Sequence, residues 1–172
     1  MRQKSMTERR TKSPEQALAA LMRLCARAEK STGDARRLMR GWGVDERAQE
    51  AVIRKLLEQR FIDDVRFAEA FVREKINLSG WGAYKIRAAL LRKGIERTTI
   101  ERILAEIDPA QNYERLHQLL TRKMRSIRAA TQYELKTKLI RYGMSAGFEF
   151  ETVADVVGEL INKEEEEECD IF

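Results

Sequence analysis

Three stretches of this chain align without a gap, each with a glycine in the same place: Met39-Arg40-Gly41-Trp42-Gly43-Val44, Leu90-Leu91-Arg92-Lys93-Gly94-Ile95 and Leu139-Ile140-Arg141-Tyr142-Gly143-Met144. The glycines fall at 43, 94 and 143, intervals of 51 and 49 residues. Four positions before the first residue of each stretch stands Ala35, Ile86 or Leu135, and thirteen positions after the glycine come Leu56, Ile107 and Val156. Self-similarity at this period marks a tandem-repeat architecture, in which units with thin cores stack on their neighbours to bury apolar surface. The glycine has a physical reason. A helix that ends in a left-handed residue turns the chain back at little steric cost when that residue lacks a Cβ. The apolar residue directly after it is then free to pack under the turn.

Between the glycines the apolar residues recur at helical spacing, with almost no strand-like alternation. Leu18, Leu21, Met22, Cys25 and Ala28 make one stripe; Ala48, Val52 and Leu56 make another. Val65, Ala68, Phe71, Val72 and Ile76 open a second round, which continues through Ile86, Ala89 and Leu90 to Ile100, Ile103, Leu104 and Ile107. The third round holds Leu116, Leu119, Leu120, Met124 and Ile127, then Leu135 and Leu139, then Val153, Val156, Val157 and Leu160. Each unit reads as a long helix, a short helix, a glycine stop and a third helix. The expected fold is all-α: three tandem three-helix repeats of about 50 residues, stacked into an elongated, curved body. The expected boundaries are a basic flexible tail over 1–13, repeats over 14–62, 63–108 and 109–162, and an acidic flexible tail over 163–172. Gly43, Gly94 and Gly143 are the expected turns, with Asp63 and Asp64 capping the helix that follows them.

Charge separates the function classes. Of 172 residues 35% are charged, and the net charge of +5 is unevenly spread. Arg2, Lys4, Arg9, Arg10 and Lys12 face only Glu8 at one end, whereas Glu164 to Glu168 and Asp170 face only Lys163 at the other. The body between them is basic and suits a polyanion or an acidic protein surface. No apolar run is long enough to span a membrane, and the first thirteen residues lack the apolar stretch of a secretory signal, which points to a cytoplasmic protein. Cys25 and Cys169 form neither a disulfide framework nor a metal site, and His117 is the sole histidine. Adjacent Asp63 and Asp64 could hold a metal, but helix capping explains them more economically. Gly41-Trp42-Gly43 and Gly80-Trp81-Gly82 are not phosphate loops, since neither is followed by Lys-Ser/Thr. The expectation is a monomer without catalytic residues, metal or cofactor.

The binding candidates are cations on helix faces. The second repeat offers Lys85, Arg87, Arg92 and Lys93, with Lys85 and Arg92 two turns apart on one face. The third offers Arg122, Lys123, Arg125 and Arg128, then Lys136, Lys138 and Arg141. At 100° per residue Arg122, Arg125 and Arg128 run along a face away from Leu116, Leu120 and Ile127. Lys85, Arg87, Arg92, Lys93, Arg122, Arg125, Lys136 and Arg141 are the expected contacts to partner or DNA phosphates. Trp81 and Tyr84 beside Lys85 could stack on a base or fill a groove between helices, with packing the simpler reading.

The run Phe61-Ile62-Asp63-Asp64-Val65-Arg66-Phe67-Ala68, then Phe71-Val72-Arg73, then the stretch from Gly80 to Ile95, resembles the RecX regulatory family of bacteria. The resemblance is dense over about residues 56–107 and includes the aromatic-Ile-Asp-Asp run, the Arg-Phe-Ala helix and the Gly-Ile turn. Repeat one departs from it at Gly41-Trp42-Gly43, and repeat three carries an insertion-like Ser145-Ala146-Gly147-Phe148. The resemblance implies a negative modulator of RecA that binds the RecA–single-stranded DNA filament in its groove or at its end. It would thereby restrain filament extension, ATP hydrolysis and strand exchange, and so modulate DNA repair, recombination and the SOS response. It also implies direct contact with single- or double-stranded DNA through phosphates. Two other readings stay open from the residues alone: a helix-turn-helix-like DNA-binding protein, and a protein–protein adaptor without RecA regulation.

Overall fold

The computed structural model describes residues 11–169, with side chains through residue 162. The described residues are helical and turn segments with no strand, in the order α1 (Pro14–Cys25), α2 (Thr32–Gly41), α3 (Glu46–Glu58), α4 (Asp64–Ser79), α5 (Ala83–Arg92), α6 (Arg97–Ala105), α7 (Pro109–Met124), α8 (Gln132–Ala146) and α9 (Phe150–Cys169). Local chemistry sets the starts. Ser13 and Gln16 form a reciprocal capping box ahead of α1, with Pro14 at the first helical position. Ser31, Asp45, Asp108 and Thr131 each turn a side-chain oxygen onto a free backbone N–H of the helix that follows.

By packing, the chain divides into two units, and the division does not follow the repeats. One unit holds α1, α2, α3, the start of α4 to Glu69 and the turn Leu91–Glu96; the other holds Ala70–Leu90 and the chain from Arg97 onward. The first is centred on Ala17, Leu21, Ala35, Met39, Val44, Val52, Ile53, Leu56 and Ile62. The second contains a core built from Leu116, Leu120, Leu139, Phe148, Val153, Val156, Val157 and Leu160. Residues 11–13 are fastened to the first: the Lys12 N–H donates to the Trp42 carbonyl at 3.0 Å and its ammonium lies 4.4 Å from the Trp42 ring centroid. Residues 1–10 of the expected basic tail lie outside the described residues. At the other end α9 runs on to Cys169, so the boundary set at residue 163 does not coincide with a helix end; the glutamates there are good helix formers.

The repeat is in the structure, but the third turn is not at Gly143. Gly43 and Gly94 have φ of 70° and 77°, and the corresponding left-handed residue of the third unit is Gly147, with φ of 94°. Gly143 lies inside α8, where an added Cβ would meet Val153 Cγ1 at 2.7 Å. The four-residue offset is about one helical turn. α8, at 15 residues, is longer than α2 and α5 at 10 each. With the register reset to 43, 94 and 147, the buried positions coincide. Eight residues before the glycine stand Ala35, Ile86 and Leu139, all 0% exposed, and directly after it come Val44, Ile95 and Phe148, all buried. Gly143 occupies the place of Met39 and Leu90. Six residues after the glycine stand Gln49, Ile100 and Val153, all buried. The polar member, Gln49, donates its amide N–H to the Val44 carbonyl at 2.8 Å, so burial leaves that donor satisfied.

The same register relates the second helices to one another. Ser31 hydroxyl donates to the carbonyl of Lys93, the residue before Gly94, at 2.7 Å. Gly82, equivalent to Ser31, donates its N–H to the carbonyl of Ala146, the residue before Gly147, at 2.8 Å. Each joint therefore seats the start of one second helix on the glycine turn of the next.

Candidate anion-binding groove

A carboxylate within reach decides which cations are available to a partner, and the structure divides the candidates on that basis. Arg87, on α5, forks onto Glu101 of α6 at 2.7 and 2.8 Å. The hydrogen bonds from Arg87 hold the Glu101 carboxyl below its usual range. Arg36 and Glu50 make the equivalent pair between α2 and α3, at 3.0 Å for both bonds, and Glu50 is lowered for the same reason. Lys93 reaches both oxygens of Asp34 at 2.9 and 3.0 Å, where the Asp34 side chain is only 7% exposed. Lys85 donates to the Ser145 carbonyl at 3.2 Å and lies 4.8 Å from the Trp81 ring centroid. Arg87 and Lys93, and to a lesser degree Lys85, thus serve the fold. Arg92, Arg122, Arg125, Lys136 and Arg141 are exposed.

Of the two aspartates expected to cap α4, Asp63 does so, accepting from the N–H groups of Val65 and Arg66 at 3.0 Å each. Asp64 does not. Its oxygens accept from the Thr32 N–H at 2.9 Å and the Thr32 hydroxyl at 2.7 Å, capping α2 from outside. Cys25 is half-buried, and desolvation raises its thiol, which keeps it protonated at neutral pH. No grouping of His, Cys, Asp and Glu suited to a metal is found among the described residues. Among them, too, no helix is long and apolar enough to cross a membrane.

The exposed arginines of the third repeat do not share one helical face. α7 ends at Met124, with Arg125 as its cap, and the chain is non-helical from there to Thr131. The expected row Arg122, Arg125 and Arg128 therefore breaks after its first member, and Arg128 turns into a groove between α7 and α8. That groove, of about 540 Å³, is lined by Lys123, Ser126, Ile127, Arg128, Lys138, Arg141, Tyr142 and Ser145. Four of the eight are cations and none is acidic. Lys138 donates to the Arg128 carbonyl at 2.8 Å, pinning the loop to α8, and pairs with Glu134 at 2.7 Å. Lys123 lies 5.0 Å from the Tyr142 ring centroid. The Arg128 and Arg141 guanidinium groups make no ion pair among the described residues. Of the expected binding residues only Arg141 lines this groove; Lys136 belongs to a separate one with Gln132, Tyr133, Gly158, Ile161 and Asn162. A concave surface with free guanidinium forks and no carboxylate is fitted to an anion with several oxygens.

Tandem three-helix units with glycine turns, one of them bordering a basic groove, define an all-helical repeat protein. Similarity to known proteins makes this specific. The RecX second three-helix domain matches residues 63–104 and the RecX third three-helix domain matches residues 110–157, together just over half of the chain. The chain belongs to the RecX family. It is 35% identical over 124 residues to a protein of Clostridium botulinum strain Eklund 17B named "Regulatory protein RecX", covering 71% of this chain and 58% of that one. A protein of the same name from Clostridium tetani is 33% identical, with 69% and 55% covered. The chain thus spans a little over half the length of these relatives. The crystal structure of RecX from Lactobacillus salivarius shares the fold, with a TM-score of 0.72 and 20% identity over 86% of this chain and 96% of that one.

Proposed function

We propose that this chain is a non-catalytic negative regulator of RecA. It binds the RecA–single-stranded DNA filament in its groove or at its end and restrains filament extension, ATP hydrolysis and strand exchange, so modulating DNA repair, recombination and the SOS response. The observation that carries this reading is the succession of two RecX domains, over residues 63–104 and 110–157, on helices α4–α6 and α7–α9. A run of similar helical units offers a periodic partner several contacts that are weak one by one and strong together. Cations that no carboxylate engages among the described residues, such as Arg128 and Arg141, give such a protein a hold on the charged surface of a nucleoprotein. The protein acts as a monomer in the cytoplasm, meeting RecA through protein contacts and DNA through phosphates.

Cosedimentation with preassembled RecA filaments on single-stranded DNA tests this. The protein is expected in the filament pellet at a level well above its pelleting with the same DNA alone. Equal pelleting with and without RecA would leave a DNA-binding protein and remove the RecA reading.

A further inference from the structure

We infer that the groove between α7 and α8 seats the phosphodiester backbone of single-stranded nucleic acid, without preference for base sequence. On α8 the residues Lys138, Arg141, Tyr142 and Ser145 stand at i, i+3, i+4 and i+7, a single helical stripe about 10 Å long. That length matches two or three successive phosphates, which are spaced by at least about 3.4 Å along a strand. Opposite the stripe, the end of α7 and the loop after it contribute Lys123 and Arg128, so cations line the groove from both sides.

The distinguishing feature is that two guanidinium groups with no ion pair among the described residues line one concave surface. Elsewhere in the protein Arg36, Arg66 and Arg87 each fork onto a glutamate with two hydrogen bonds. Among the described residues Arg128 and Arg141 have the same fork with no carboxylate opposite, and a phosphate presents oxygens in the matching geometry. Tyr142 lines the same groove, with the Lys123 ammonium 5.0 Å from its ring centroid. The partner proposed above is a filament on single-stranded DNA, which brings this polyanion to the groove and favours it over an acidic peptide. The inference deepens the RecA-filament reading by locating its nucleic-acid site, and it is testable with no RecA present.

The experiment is fluorescence anisotropy of labelled oligo-dT with the full chain, repeated over a range of salt. The double variant R128A/R141A is expected to bind about tenfold or more weakly, and its log–log salt slope to shrink by about 1.4, or about 0.7 for each phosphate no longer neutralised. R128K/R141K should keep the slope, because it keeps the charges. R102A, an exposed arginine of α6 outside the groove, should bind as the unaltered protein does. Undiminished binding by R128A/R141A, or an equal weakening in R102A, would overturn the proposal. Tighter binding of labelled oligoglutamate than of oligo-dT, abolished in R128A/R141A, would overturn it in favour of an acidic protein segment. Duplex DNA bound as tightly as oligo-dT would overturn the single-strand assignment. A failure here with filament cosedimentation intact removes only this site.

Discussion

A methyl group at position 33 has no room. A Cβ there would overlap the Lys93 carbonyl, and one at Gly82 would overlap the Gly147 carbonyl, in both cases backbone that cannot swing aside. Gly33→Ala and Gly82→Ala are each expected to destabilise the protein by about 1–3 kcal/mol in urea unfolding. Gly158→Ala is the contrast: nothing lies within 4 Å of its added Cβ, and a mid-helix alanine should raise stability by about 0.5–1 kcal/mol. A destabilised Gly158→Ala beside a neutral Gly33→Ala would contradict this packing. Residues also show where sequence reading ends. Gly143 and Gly147 are one helical turn apart, so either aligns the apolar stripe of α8 with the other repeats, and Leu135 in one register looks as good as Leu139 in the other. The signal that separates them is the residue after the glycine. Phe148 is buried like Val44 and Ile95, whereas Met144 is 43% exposed.

At the scale of helix pairs, the fork from Arg36 to Glu50 is repeated by Arg87 and Glu101, the same fourteen residues apart and at the same distance from Gly43 and Gly94. The third repeat holds Ile140 and Ala154 at those places. Both glutamates have carboxyls lowered from the ordinary 4.5. A group lowered on folding contributes stability that is complete above its unfolded value and is lost as pH falls through its folded one. Stability should therefore drop as the pH is taken below about 4.5, and E50Q/E101Q should flatten that limb of the profile; an unchanged limb would contradict the assignment. These pairs are partly exposed, so a double-mutant cycle on Arg87 and Glu101 should give only about 0.5–1 kcal/mol, diminishing with salt. The pairing was legible in principle, because an Arg–Glu interval that recurs with the repeat is visible in the sequence. Charge patterning alone marks Arg87 and Lys93 as free, since their partners lie on other helices. The groove was less legible. It depends on α7 stopping at Met124, although the apolar spacing carries on to Ile127 and gives no sign of the break.

For the molecule as a whole, the all-helical class of the described residues, the first two turns of the repeat and the family could be read from the chain, because each rests on local spacing and glycine chemistry. The grouping of the chain into units that cut across α4 and α5 could not, since it depends on how the helices pack. The proposed function belongs to this scale, and its most direct test is the rate of RecA's single-stranded-DNA-dependent ATP hydrolysis when this protein is added to preassembled filaments. A regulator that acts along the groove or at the ends of a filament should lower that rate when present at well below one molecule per RecA protomer. An unchanged rate in a buffer where the protein still binds the DNA would contradict the account.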